Sequence, residues 1–117
     1  MTHYLTFGDT YELLPINKII LDNAIVNVVK PYGRSLISKG ALINKRFTAP
    51  LNRMETLIDK DGNIIIMSSY NAMKNGIPLS PIVVKPIGNY YTIIDGRHRV
   101  AASLILGYNF VPAIIVK

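Results

Sequence analysis

Asp95-Gly96-Arg97-His98-Arg99-Val100-Ala101-Ala102-Ser103-Leu104-Ile105-Leu106-Gly107 is the stretch on which the reading of this chain turns. It reads as a turn that opens directly into a short helix. Asp95 is placed to act as the N-cap, and Val100, Ala101, Leu104 and Ile105 recur at helical spacing as one buried stripe. Gly107 supplies a left-handed stop. A helix start leaves several backbone N–H groups unpaired at a partially positive end, which attracts phosphate. Gly96 lets a ligand approach the backbone closely, and Arg97, His98 and Arg99 crowd donors into the first turn. Cations there oppose the helix dipole. Two readings follow: an anion offsets them, or the side chains fan out into water.

Outward from this stretch, strands and helices interleave. Tyr90 to Ile94 reads as a strand entered from the Gly88-Asn89 turn, with Pro81 to Lys85 as the strand before it. Ile77-Pro78-Leu79-Ser80-Pro81 is extended linker, because each proline pushes its predecessor out of helical space. Ser68 or Ser69 caps a short helix through Lys74, ended by Asn75-Gly76. Asn63 to Met67 is a buried strand, preceded by the turn Asp59-Lys60-Asp61-Gly62-Asn63. Leu51 to Ile58 is expected to make about two helical turns. Leu13 to Leu21 and Ala24 to Val29 read as strands, and Ala113 to Val116 as the last one. The fold class is α+β, a small mixed β-sheet flanked by short helices.

Length and composition set the bounds. The 117 residues make one domain, 1–117, with residues 1–12 an irregular N-terminal tail. No apolar run approaches the roughly 18 residues that span a bilayer, and the N-terminus lacks the pattern of a secretory signal. The expectation is a cytoplasmic protein with no membrane partner. The absence of cysteine excludes disulfides, thiolate metal sites and cysteine nucleophiles.

The net charge of +6 is unevenly placed. Residues 23–54 contain no acid, and Lys30, Arg34, Lys39, Lys45, Arg46 and Arg53 all fall there, whereas the rest of the chain is neutral. That block is where a nucleic acid would be gripped, or it is a solvated surface that aids solubility.

The ordered elements carry a resemblance. Gly76, Pro81-Ile82-Val83-Val84, Tyr91-Thr92-Ile93-Ile94-Asp95-Gly96-Arg97-His98-Arg99-Val100-Ala101-Ala102, Leu106-Gly107 and Val111-Pro112-Ala113-Ile114-Ile115-Val116 together resemble the ParB/sulfiredoxin superfamily. The resemblance covers roughly the C-terminal 50 residues. It implies a nucleotide-binding domain that holds a phosphate chain at the Gly-x-x-Arg helix start. Chromosome-partition members carry Gly-Glu-Arg-Arg there and hold CTP, sulfiredoxins carry Gly-Cys-His-Arg and hold ATP, and free-serine kinases carry Gly-His-His-Arg. Gly96-Arg97-His98-Arg99 is nearest the Gly-x-His-Arg subtype. The implied ligand is a nucleoside triphosphate, ATP or CTP, with Mg²⁺ an open accompaniment.

Arg97 stands where sulfiredoxins have their reactive cysteine, so sulfinic-acid reduction is out. The partition proteins' Asn-Pro-x-Gln-Pro-Arg box is not matched by Asp22-Asn23-Ala24-Ile25-Val26-Asn27. The region 23–54 reads as a basic, acid-free insertion, and association with DNA through it is expected. The only glutamates, Glu12 and Glu55, stand in no context that aligns with the kinases' base. NTP hydrolysis, phosphotransfer and a ParB-like nuclease activity all stay open, with a non-catalytic DNA-binding module as the alternative. The small, lysine-, asparagine- and isoleucine-rich chain suits a viral or plasmid setting, which would place it in a host cytoplasm.

Gly96, Arg97, His98 and Arg99 are thus the candidate phosphate contacts. Arg99 either forks onto phosphate or forms a salt bridge, to Asp95 or to a C-terminal carboxylate. Asp95 is an N-cap or a Mg²⁺ ligand. His3 is expected in the tail and not as a ligand. Of Tyr90 and Tyr91, which alternate across a strand, one should face outward, either to stack on a base or to finish the sheet. No spacing of His and acids marks a transition-metal site.

Overall fold

A computed structural model describes residues 2–8, 10–21, 25 and 53–117. Its elements are β1 (Glu12–Pro15), a 3-10 turn (Ile16–Lys18), β2 (Met54–Ile58), β3 (Ile64–Ser68), α1 (Ser69–Lys74), β4 (Ile82–Ile87), β5 (Tyr90–Asp95), α2 (Arg97–Leu106) and β6 (Phe110–Ile115). They form the expected α+β architecture: a four-stranded sheet in the order β1-β6-β4-β5 and a separate two-stranded sheet, β2-β3.

β4 is the strand from which the larger sheet is built. Its Ile82 and Val84 are fully buried, consistent with a β-branched strand packed under a helix. It pairs antiparallel with β5 and parallel with β6, where Ile82 faces Ala113 and Val84 faces Ile115. That second pairing ends before Pro86, so the proline lies beyond the register of β6, where its missing N–H leaves no hole in that ladder. The β4–β5 hairpin turns at Gly88-Asn89, and Gly88 takes a φ of +57° at the first turn position, as a type II′ geometry requires. β6 lies between β1 and β4, with Leu14 opposite Val111. The expected strand over Leu13 to Leu21 is shorter. It breaks after Pro15 into the 3-10 turn, and Ile19 then bridges Tyr91, with the Ile20 N–H donating to the Tyr91 carbonyl at 2.8 Å. This segment covers the outer edge of β5, which would otherwise be open to pairing.

α2 fills one face of the sheet. Its burial is broader than the single stripe expected: Val100, Ala101, Ala102, Ser103 and Leu104 are all buried, whereas Ile105 is only half-buried. α1 packs on α2 from a second side, and the small residues Ala101, Ala102 and Ser103 permit that approach. Gly107 closes the helix with a φ of +83°. α1 starts as expected, with the Ser68 Oγ accepting from the Asn71 N–H at 3.1 Å.

Two expectations fail around residue 55. Residues 54–58 form strand β2, not helical turns, because β3 offers them a cross-strand partner at every position from Met54–Ser68 to Ile58–Ile64. β3 in turn is not buried: Ile64 is 74% exposed and Ile66 69%. The hairpin's tip is as expected, with the Asp59 carboxylate accepting from the N–H groups of Asp61 and Asn63, each at 2.9 Å.

The N-terminal residues are irregular yet packed. Tyr4 lies in the core, its hydroxyl donating to the Ser80 carbonyl at 2.7 Å. The Thr2 carbonyl accepts from Asn109 and Phe110. Ile25 is also buried in the core. The rest of the expected strand 24–29 lies outside the described residues, as do Lys30, Arg34, Lys39, Lys45 and Arg46.

Candidate functional site

The site is assembled where β5 ends and α2 begins. The register of β4 against β5 slips there: Val83 faces Asp95 while Val84 faces Ile93, which leaves Ile94 as the extra residue of a bulge. The bulge breaks the alternation of side chains, so Ile94 and Asp95 are both exposed. The chain then passes Gly96 into α2, whose first intrahelical bond runs from the Val100 N–H to the Gly96 carbonyl. The amides of Arg97, His98 and Arg99 therefore precede the helix's own ladder.

Gly96, not Asp95, is the N-cap residue, and no side chain caps this helix. Expected as the cap, Asp95 is instead the last residue of β5, and its carboxylate is taken by Arg99. Gly96 has a φ of +110°, and a Cβ there would sit 2.5 Å from Ile82 Cγ2. Its lack of a side chain thus serves the close packing of the helix start on β4, where the sequence had suggested room for a ligand.

Arg99 is almost fully buried and already heavily engaged. One terminal nitrogen donates to the carbonyls of Ser80, at 2.9 Å, and Pro81, at 3.1 Å. The other pairs with Asp95 at 2.9 Å. Of the two roles weighed for Arg99, the ion pair with Asp95 is present, and the carbonyl bonds add a third with no sequence signal: pinning the Ser80-Pro81 linker to α2. Tyr4 reaches the same carbonyl, and burial pushes its phenol pKa well up, against the lowering effect of Arg99.

In front of the helix start lies a cleft of about 230 Å³. Arg97, His98 and Arg99 line it from α2, Ile94, Asp95 and Gly96 from the β5 end, and Arg53 and Glu55 from the β2 side. Arg53 is the one member of the basic block among the described residues, and the fold brings it to the candidate phosphate contacts. Glu55, one of the two glutamates that align with no kinase base, is the site residue that the sequence does not place here. With residues 51–58 read as helix, the alternation Arg53, Glu55, Leu57 on one face of a strand was not seen. Glu55 Oε2 accepts from Ser69 Oγ at 2.6 Å, which fastens β2 to the start of α1.

A larger compartment of about 490 Å³ adjoins, lined by Phe7, Thr56, Leu57, Ile58, Leu79 and Ser80 and sharing Glu55 and Arg99 with the cleft. Among the described residues, no group of three or more His, Asp or Glu could hold a metal ion. His3 lies away from both, its ring against the Tyr4 carbonyl at 2.8 Å. Tyr91 packs on the core, whereas the Tyr90 ring takes the Lys18 ammonium at 5.4 Å. No described helix is long and apolar enough to cross a membrane.

Comparison with known proteins gives a family match over part of the chain and likenesses of fold. Residues 65–117, from β3 onward, match the model of the ParB N-terminal domain. The matched segment carries the helix start, and it covers under half of the chain. Among solved structures, the chain is similar to a free serine kinase in complex with ADP, at 14% identity and a TM-score of 0.51, with 97% of this chain aligned. It spans 34% of that kinase's length, so the likeness concerns the fold of one part of it. Weaker structural likenesses reach sulfiredoxin from Arabidopsis thaliana, at 18% identity and a TM-score of 0.46 over 93% of this chain and 86% of that one. The chromosome-partitioning protein ParB from Caulobacter crescentus, complexed with CTP-gamma-S, gives 18% identity and 0.47 over 94% of this chain and 45% of that one. No curated protein sequence matches the chain.

Proposed function

We propose that this is a nucleotide-binding ParB-like domain and that the cleft before α2 receives the phosphate chain of a nucleoside triphosphate. The observation that carries the reading is the convergence of Arg53, Arg97, His98 and the first turn of α2 on one small cleft. The kinase of similar fold, whose structure holds ADP, supports it. Arg97 and His98 supply the phosphate donors, while Arg99 holds the cleft's floor through Asp95 and the Ser80-Pro81 carbonyls. ATP and CTP are the ligands to test first, each with and without Mg²⁺. Positioning and electrostatics dominate phosphoryl transfer, so the same cleft could support hydrolysis or transfer of the terminal phosphate. Association with DNA through the 23–54 block is the accompanying proposal.

Calorimetric titration of ATP, CTP, GTP and ADP against the wild-type protein and Arg97→Ala tests this. Saturable binding by one nucleotide, weakened about tenfold in the variant, is the expected result. Arg99→Ala is unsuitable because it removes structural bonds. If no nucleotide binds, the nucleotide reading fails; a DNA duplex whose affinity falls steeply as salt is raised and drops in Arg97→Ala would then make the cleft a contact for backbone phosphate.

A further inference from the structure

The cleft and the larger compartment differ in chemistry and meet at a carboxylate. The cleft is basic, with Arg53, Arg97 and His98 on its walls. The compartment beyond is largely apolar, walled by Phe7, Leu57 and Leu79, and its size suits a small-molecule site. Glu55 and Arg99 lie on both linings; Arg99 is engaged by Asp95 and the Ser80 and Pro81 carbonyls, so Glu55 is the boundary group with an acceptor to offer. Ser69 fixes the carboxylate through Oε2, and Oε1 is its second acceptor. A carboxylate beside an anion site repels phosphate oxygens and welcomes hydroxyl donors. Carboxylates read the ribose diol in this way in dinucleotide folds. Phe7 is 55% exposed, an aromatic face at the mouth of the apolar compartment on which a planar ring can stack.

The order basic, carboxylate, apolar matches the order phosphate, sugar, base. Resting on the phosphate reading above, we infer that Glu55 is a specificity-determining residue that hydrogen-bonds the ribose hydroxyls of a ribonucleotide spanning both compartments. The base then lies against Phe7, Leu57 and Leu79. The site selects ribonucleotides over their 2′-deoxy counterparts, because the deoxy sugar leaves the carboxylate without its donor.

The test is a matched set of titrations with inorganic tripolyphosphate, ATP and dATP, and CTP and dCTP. The wild-type protein should prefer the better ribonucleotide over its deoxy form by about tenfold. Glu55→Ala should abolish that preference while leaving tripolyphosphate affinity the same or higher. Ser69→Ala, which removes the same Ser69–Glu55 bond but keeps the carboxylate, should retain the preference and so control for a loosened hairpin. Phe7→Ala should weaken nucleotide binding and spare tripolyphosphate. Equal affinity for ribo and deoxy forms in the wild-type protein overturns this inference alone, as does a preference that survives Glu55→Ala. Failure of tripolyphosphate and of every nucleotide to bind overturns the phosphate reading and this inference with it.

Discussion

The sheet that carries α2 and the β2–β3 hairpin treat their apolar residues in opposite ways. In the first, Ile82, Val84, Val100 and Val111 are fully enclosed. In the second, Met54, Ile58, Ile64 and Ile66 remain exposed on one face, while Leu57 and Met67 on the other lean on the core. The site takes a wall from each. Arg97 and His98 stand on an element held by close packing, and Arg53 and Glu55 on a pair of strands that alone would be marginal. The lesson is that Arg97 and His98 are set by the core, whereas the opposite wall depends on a hairpin fastened largely at its base.

The contrast can be broken most sharply at Gly96. Gly96→Ala forces both an unfavourable φ and a clash with Ile82, and should cost about 3 kcal/mol or more, read as a fall in the midpoint of denaturant unfolding. A loss below about 1 kcal/mol would mean that the helix start is not closely packed on β4. Arg99→Ala should cost about 2–3 kcal/mol, since it strands two linker carbonyls and the Asp95 pairing together. The exposed position of Asp95 makes the ion pair the lesser part of that loss, so Asp95→Asn should cost under about 1 kcal/mol.

Tyr4 gives a pH signature to the same region. Its phenol pKa is raised above the ordinary 10.0, mainly by burial, so the folded protein holds that proton more tightly than the unfolded chain. The contribution is fully present below pH 10 and is lost as pH climbs from there toward the folded value, by about 1.4 kcal/mol per pH unit. Stability measured from pH 8 to 11 should therefore fall less steeply in Tyr4→Phe than in the wild-type protein. The smallest effect is expected on the other side of the comparison. Ile64→Thr and Ile66→Thr, on the exposed face, should change stability by no more than about 0.5 kcal/mol. A larger loss from either would show that this face is covered.

Much of the core sheet was legible because its signals are local. Gly88-Asn89, Asn75-Gly76, Ser68 and Gly107 mark turns and caps through their own backbone preferences, and β4, β5 and α2 follow between them. The β2–β3 hairpin was half legible. Its Asp-Gly turn was read correctly, but β2 owes its strand form to β3, a tertiary fact that a short apolar run does not declare. The site divides in the same way. Arg97 and His98 are visible as a cluster in sequence, but Arg53 and Glu55 join them only through the hairpin. The bulge at Ile94 and the steric union of Gly96 with Ile82 were not readable, since each depends on how two distant backbones meet.

The place of β6 in the sheet sets a timetable for synthesis. β4, β5 and α2 emerge from the ribosome together and can associate at once. β1 has its ladder on β6 alone, and Glu12 faces Ala113 across nearly the whole chain. At the usual pace of translation the first strand waits about 5–20 s for its partner. Through that interval Leu14 lacks Val111, the residue it later faces, so the N-terminal strand is the last of the sheet to find its partner.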